Sequence, residues 1–339
     1  MIEMENTVDL LSINLLDDKK RLKLIDYWLR VMDRLQGWHY DLDIIWILKE
    51  LEKSGIKKGD TILDAGGGMG VTQFILAALG FNVISLDFSK RYLPQLGKGI
   101  FDIQLKNQES IDYKHDYINY IKYGNEPKIG DKLQDEKLHK NYIKPIYGIY
   151  SFLLKVIITI MKRPKNSLSF IKRNYNKIRN KLFNIVERKS NHKEFGKIEL
   201  VRAAFHNIPL SDNSVDALIS VSAIEHADKV LLNNNIMEMK RIVKKGGPLL
   251  ITTSATELDK DVFHEKTKGW CFSSETIKKM ADNEQLKEMN FRKTEKDFLQ
   301  SKLWLSRIYP YYTQDSKSEF YKRRIKRRPY FPIGIKITK

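Results

Sequence analysis

Three glycines spaced two apart, Gly66, Gly68 and Gly70, with Gly67 between the first two, follow a short apolar run that ends in Asp64. A turn this rich in glycine lets backbone N–H groups approach a ligand closely, because no Cβ stands in the way. A second apolar run, residues 81–86, ends in Asp87, twenty-three positions after Asp64. A carboxylate at that place can accept hydrogen bonds from both ribose hydroxyls of an adenosine. The glycine spacing is shorter than the Gly-x-Gly-x-x-Gly preferred for a dinucleotide pyrophosphate. Further along, His206, Glu225, His226 and His264 are side chains able to move a proton.

These residues need elements to hold them. Residues 61–64 read as a strand, 71–79 as a helix that stops at Gly80, and 81–87 as a second strand. Strand, glycine turn, helix and strand make a βαβ unit, which demands a parallel sheet with a right-handed crossover. The alternation resumes with strands at 198–201 and 214–221, a helix at 229–243 and a strand at 248–253. Residues 274–280 read as a helix with Ser273 or Ser274 as its N-cap. The last strands are expected at 291–298 and 303–309. Before residue 54, Leu22, Ile25, Trp28, Leu29 and Met32, then Ile44, Ile45, Leu48 and Leu51, recur at helical spacing.

The stretch from Ile62 to Gly70 resembles the first motif of class I S-adenosylmethionine (SAM)-dependent methyltransferases, and Asp87 matches their ribose-binding acid. Residues 208–218 are similar to the family's proline-containing passage into strand four. Ser222-Ala223-Ile224-Glu225-His226 is similar to the segment after that strand, and 242–251 to the Gly-Gly turn into strand five. In order, these landmarks place the resemblance in the small-molecule, type 11 branch, across roughly residues 42–96 and 198–285. The resemblance implies an α/β, Rossmann-like sheet with helices on both faces, and SAM as cofactor. It implies that Gly66, Gly67, Gly68 and Gly70 shape the loop around the amino-acid part of SAM, with Asp64 supporting it and Asp87 holding the ribose. Where family members often carry Gly-Asp-Ala before the proline passage, this chain has Ala203-Ala204-Phe205, so the acidic contact to adenine is missing. Phe205 would offer its backbone amide and a ring face instead. Ser220 and Val221 would face the methyl group. A hydroxyl acceptor needs a base, for which His226, Glu225 and His206 are the candidates, with His264 behind them. RNA-end methyltransferases that bind a metal begin the matching cluster with Glu, where Ser222 stands here, so no metal is expected. Residues 220–223 do not resemble the turn used by DNA amino-methyltransferases.

Asp87 and Pro209 are 122 positions apart, far more than the family's usual connection. The excess is a basic helical insertion between strands two and three. Residues 145–161 carry a single charge, Lys155. Ile171, Tyr175, Ile178, Leu182, Phe183 and Val186 then recur at helical spacing among lysines and arginines. The chain therefore divides into an N-terminal helical lead (1–53), a split methyltransferase domain (54–99 and 198–310), the insertion (100–197) and a basic C-terminal tail (311–339).

Charge follows the same division. Of the net +18, residues 140–197 contribute +13 and residues 302–339 contribute +9, which leaves the remainder at −4. Concentrated positive charge of this kind draws an anionic partner. The expectation is an O-methyltransferase acting on a small molecule or a glycan or lipid intermediate, touching an anionic membrane through 140–197 and 320–331. An RNA methyltransferase and a non-catalytic binding protein are the rivals. One cysteine, Cys271, excludes an intramolecular disulfide and a multi-cysteine zinc site. With no basic-then-apolar leader at the start, the expected location is the cytoplasm, on or near the inner face of the membrane.

Overall fold

The computed structural model describes residues 6–32, 34, 39–89, 91, 97, 99–107, 194–264, 268–284, 289–302 and 330–339. Within them, ten strands run β1 (Thr7–Leu10), β2 (Thr61–Ala65), β3 (Asn82–Asp87), β4 (Ile103–Lys106), β5 (Ile198–Arg202), β6 (Ala217–Val221), β7 (Pro248–Ala255), β8 (Val262–His264), β9 (Gly269–Cys271) and β10 (Phe331–Thr338). The helices are α1 (Lys19–Val31), α2 (Tyr40–Lys53), α3 (Thr72–Ala78), α4 (Leu232–Ile242), α5 (Ser274–Ala281) and α6 (Phe291–Gln300). Eight strands form one sheet in the order β1-β10-β7-β6-β2-β3-β5-β4, and β8 and β9 form a hairpin beside it.

From β4 to β7 the neighbouring strands pair in parallel, while β10 lies antiparallel to both β7 and β1. Both faces of the central strands are covered, so their sequences are largely apolar instead of alternating. Ile62, Ala217, Ile219 and Leu250 face one core with α1, α2 and α3. Leu63, Leu218, Leu249 and Ile251 face the other core with α4 and α5. A residue and its successor thus serve opposite layers.

The structure departs from the sequence expectations at both ends. The N-terminal lead is not all helical: Thr7–Leu10 forms the outermost strand beyond β10. Residues 291–298 are helix, not strand. Asn290 caps the segment through its side chain on Lys293 N at 3.0 Å, and Phe298 is fully buried. Residues 303–309 lie outside the described residues. The strand place expected of that region is taken from the basic tail. In Phe331–Thr338, Ile333, Ile335 and Ile337 alternate into the core, a period-two signal masked by the arginines before it. Likewise the insertion, set at 100–197, opens with β4, which pairs with β5; its residues 108–193, with both expected helices, lie outside the described residues. Among the described residues no helix is long and apolar enough to cross a membrane.

The sheet's antiparallel strand is also where the N-terminal helices dock. A Cβ on Gly334 would sit 2.4–2.7 Å from the indole of Trp46 on α2. Gly334→Ala is therefore expected to destabilise the fold by about 1–3 kcal/mol through overpacking. This is read as a lower urea midpoint at unchanged m; an unmoved midpoint would refute the packing.

Candidate active site

The chain leaves β2 for β3 on one side and β6 for β7 on the other, so β2 and β6 flank the switch point where α/β sheets bind ligands, beyond the strands' carboxyl ends. A cavity of about 280 Å³ opens there, walled by the glycine turn after β2, Asp87 and Phe88 after β3, residues 203–206 after β5 and the turn after β6. Tyr40, from the first turn of α2, closes one side, and Asn235 of α4 another.

The glycine turn is bound tightly to its neighbour strand. Gly66 and Gly67 both donate their N–H to the Leu86 carbonyl, at 2.7 and 3.1 Å. A Cβ on Gly67 would lie 2.2 Å from Ser85 Oγ and 2.4 Å from Asp64 Oδ2, so the backbone passes directly over a buried carboxylate. Gly68, in the left-handed region at φ +46°, donates its N–H to Asp87 Oδ2 at 2.9 Å. Ser89 N donates to the other oxygen at 2.8 Å, which fixes Asp87 at the cavity wall.

Asp64 is almost wholly buried, and neither carboxyl oxygen has a well-formed hydrogen bond among the described residues. Burial lifts its pKa to about 7. The Arg91 guanidinium pulls the value back, the Asp87 charge adds to the rise and the Ser85 hydroxyl opposes it. Arg91 is itself buried, donating to Gln73 Oε1 at 2.8 Å and Ser85 Oγ at 3.3 Å. Because the folded value stands above the ordinary 3.8, the folded chain holds a proton there that the unfolded chain has lost. Asp64 alone therefore removes stability as pH rises through that window, and the effect levels off above about 7.

On the far side of the switch point, the turn after β6 is pinned at three places. Ser222, at φ +46°, donates its N–H to the Thr252 carbonyl at 3.0 Å and its hydroxyl to Asp43 Oδ2 at 3.2 Å. The same Asp43 oxygen meets His39 Nδ1 at 2.6 Å, both residues buried at the start of α2. Burial favours a neutral His39, but the Asp43 charge, helped by Glu225, outweighs it and raises the pKa. Glu225 accepts a hydrogen bond from Thr253 Oγ1 at 2.9 Å. Burial pushes its pKa up against the pull of His226 and His39. The third pin is His226, whose Nδ1 lies 2.8 Å from the Lys268 carbonyl in the β8–β9 turn. A carbonyl only accepts, so Nδ1 carries the hydrogen and Nε2 is left as the ring's acceptor.

Of the residues singled out from sequence, Asp64, Gly66, Gly67, Gly68, Gly70, Asp87, Phe205, His206, Val221 and His226 meet at this cavity. Ser220 and Glu225 do not line it. Ser220 precedes Val221 on a strand and so points the opposite way, and Glu225 turns into the core beneath His226. His264 lies against Tyr330 with ring centroids 5.9 Å apart and is likewise not part of the lining. Tyr40 and Asn235 carried no motif signal. Only packing brings α2 and the inner face of α4 to the site.

Residues 177–251 match the family described as "Methyltransferase domain", and the order of the strands around the switch point is that of the expected fold. Over that stretch the chain is similar to the methyltransferase family. Among solved structures, the chain is similar to the [4+2]-cyclase SpnF at 11% identity and a TM-score of 0.42, covering 90% of this chain and 84% of that one. It is similar to phosphoethanolamine N-methyltransferase 2 of Haemonchus contortus at 12% identity and a TM-score of 0.43, over 96% of this chain and 59% of that one. A SAM-dependent methyltransferase from Aquifex aeolicus aligns at 16% identity and a TM-score of 0.32, covering 79% of this chain and 82% of that one. No curated protein sequence matches the chain.

The cavity suits SAM on observations of its own. Neither buried carboxyl oxygen of Asp64 has a well-formed hydrogen bond among the described residues, which suits an ammonium, and the glycine turn lines the cavity beside them. Burial raises the Asp64 pKa to about 7, so an ammonium bound at this carboxyl would expel its proton. Affinity for S-adenosylhomocysteine (SAH) is expected to rise ~tenfold from pH 6 to pH 8 and then level. Calorimetry in buffers of different ionisation enthalpy should also show proton release at neutral pH. Asp64→Asn should weaken binding and flatten the profile; a flat wild-type profile would remove the assignment.

Proposed function

We propose that this methyltransferase alkylates a hydroxyl oxygen on a small molecule, or on a glycan or lipid intermediate, with His226 as the base. The observation that supports the base is the Nδ1 contact to the Lys268 carbonyl, which leaves Nε2 as an acceptor on a cavity-lining residue. SAM, when bound, supplies a methyl group on a sulfonium whose C–S bonding electrons leave with the sulfur. His226 Nε2 takes the acceptor's hydroxyl proton as the oxygen bonds to that methyl, and the buried Glu225 beside it steadies the imidazolium that forms. Asp64 would take the ammonium, Asp87 the ribose, and Phe205 the adenine through its backbone amide and ring. Alignment of the acceptor oxygen with the methyl supplies much of the acceleration, and the three pins on the Ser222–His226 turn are the residues that hold it.

The basic segments suit an acceptor presented at an anionic surface. The anchor point of the C-terminal segment supports this: Phe331, the first residue of β10, pairs with Ala255 at the carboxyl end of β7. That point lies at the edge of the sheet where the cavity opens, whereas the insertion leaves that edge at Lys106 and rejoins the sheet at the opposite one, ahead of Ile198. On this reading 140–197 and the cluster around 320–329 dock the enzyme on anionic lipid at the cytoplasmic face. In this arrangement residues 1–53, 108–193 and 303–329 serve the methyltransferase domain as lead, insertion and basic connection, respectively. Phe331 belongs to the sheet itself.

His226→Gln should cut kcat by ~10²-fold or more while leaving SAH affinity within about twofold, since the ring acts on the acceptor; an unchanged kcat would dismiss the base. The substrate class is tested by supplying methyl-labelled SAM with fractionated host extract. Label in the small-molecule, lipid or glycan fraction is the expected result, and label in RNA would overturn the acceptor while leaving the cofactor reading intact.

A further inference from the structure

Helix α4 presents Leu232, Ile236, Met239 and Ile242 to the core, and among them one amide, Asn235. Its neighbours Asn233 and Asn234 are exposed, whereas Asn235 is only 2% exposed. Its Oδ1 has no hydrogen-bond partner among the described residues, and the side chain lines the cavity. A buried amide oxygen left unpaired inside an apolar helix face is costly. It is retained most economically where a ligand completes it.

The place of that amide along the site identifies the ligand edge. Across the carboxyl ends of β2, β3 and β5, the glycine turn comes first, then Asp87, then the loop 203–206. An adenosine whose ribose meets Asp87 therefore carries its base toward that loop. The loop opens with Ala203, Ala204 and Phe205, whose side chains offer no hydrogen bond. The Phe205 ring folds back over the glycine turn, so that a Cβ on Gly66 would lie 3.0 Å from its Cζ. Helix α4 is fastened to the same loop. Glu238 Oε1 accepts the Ile208 N–H at 2.8 Å, and Arg241 Nη2 donates to the Ile208 carbonyl at 3.1 Å. Asn235 lies one turn before Glu238 on that helix face, and Phe205 lies three residues before Ile208. The fastening thus brings the amide to the wall that Ala203, Ala204 and Phe205 leave without a polar side chain. His206 also lines the cavity, but an imidazole edge offers one donor or one acceptor. Adenine presents an amino donor beside a ring-nitrogen acceptor, the pair that a carboxamide matches.

We propose that Asn235 recognises the adenine of the cofactor, replacing from α4 the contact for which the 203–205 loop has no acid. This rests on the reading of the cavity as a SAM site. The test is a double-mutant cycle read by calorimetric binding, with SAH and its analogue lacking the 6-amino group as the two probes. Asn235→Ala and loss of the amino group are each expected to weaken binding about tenfold. The two together should cost little more than either alone, because they remove the same contact. Asn235→Ser repeats the measurement with a polar side chain should the alanine variant fold poorly, and thermal melts accompany both. Additive losses, or unchanged SAH affinity in either folded variant, would overturn the assignment of Asn235 alone. Failure of the wild-type protein to bind SAH would overturn the reading of the cavity, and the assignment with it.

Discussion

A carboxylate buried beneath a glycine turn sets the terms for the rest of this structure. Asp64 ends β2 with its oxygens against the backbone of Gly67 and beside the Ser85 hydroxyl, where no side chain larger than glycine fits. An ionised carboxyl there has lost its water, and proteins tolerate that only with compensation nearby. Arg91, Gln73 and Ser85 supply part of it, and the raised pKa shows that the part is incomplete. The parallel pairing of β2 with β3 then puts Asp87 within hydrogen-bond reach of the same turn, so two acids share a wall with divided tasks.

The opposite wall depends on parts distant in sequence. His39 and Asp43 belong to the N-terminal region, yet their buried pair receives the Ser222 hydroxyl and so holds the turn that carries His226. The β8–β9 hairpin sets the tautomer of that histidine through a backbone carbonyl. The two ends of the chain, β1 and β10, complete the sheet against β7 and give α2 its floor through Gly334 and Trp46. Lead, hairpin and last strand are thus structural members of one site.

Several features of this arrangement were open to direct reading. The glycine turn, Asp64 and Asp87 were legible because backbone approach and a terminal carboxylate impose residue types at short, fixed spacing. The strands at 198–201 and 248–253, and the 217–221 part of the strand expected at 214–221, were legible because burial on both faces makes them mostly apolar. Two segments misled for identifiable reasons. In 291–298 two phenylalanines suggested a strand, although their seven-residue separation and the Asn290 cap belong to a helix. In 331–338 the alternation of three isoleucines was hidden by the basic cluster ahead of it.

From its sequence alone this protein determined its fold class, the glycine turn with its two strand-end acids, and the location of its positive charge. Those properties rest on local chemistry: glycines where a backbone must come close, acids at strand ends, and hydrophobic periods matched to each element. Only the tertiary structure decided which of two adjacent candidates, Glu225 or His226, faces the cavity. It alone placed Tyr40, Ser222 and Asn235 on the walls, and gave the outer strands to segments from opposite ends of the chain. Such choices depend on side-chain direction within a turn and on contacts between residues far apart in sequence, and neither leaves a spacing to be read.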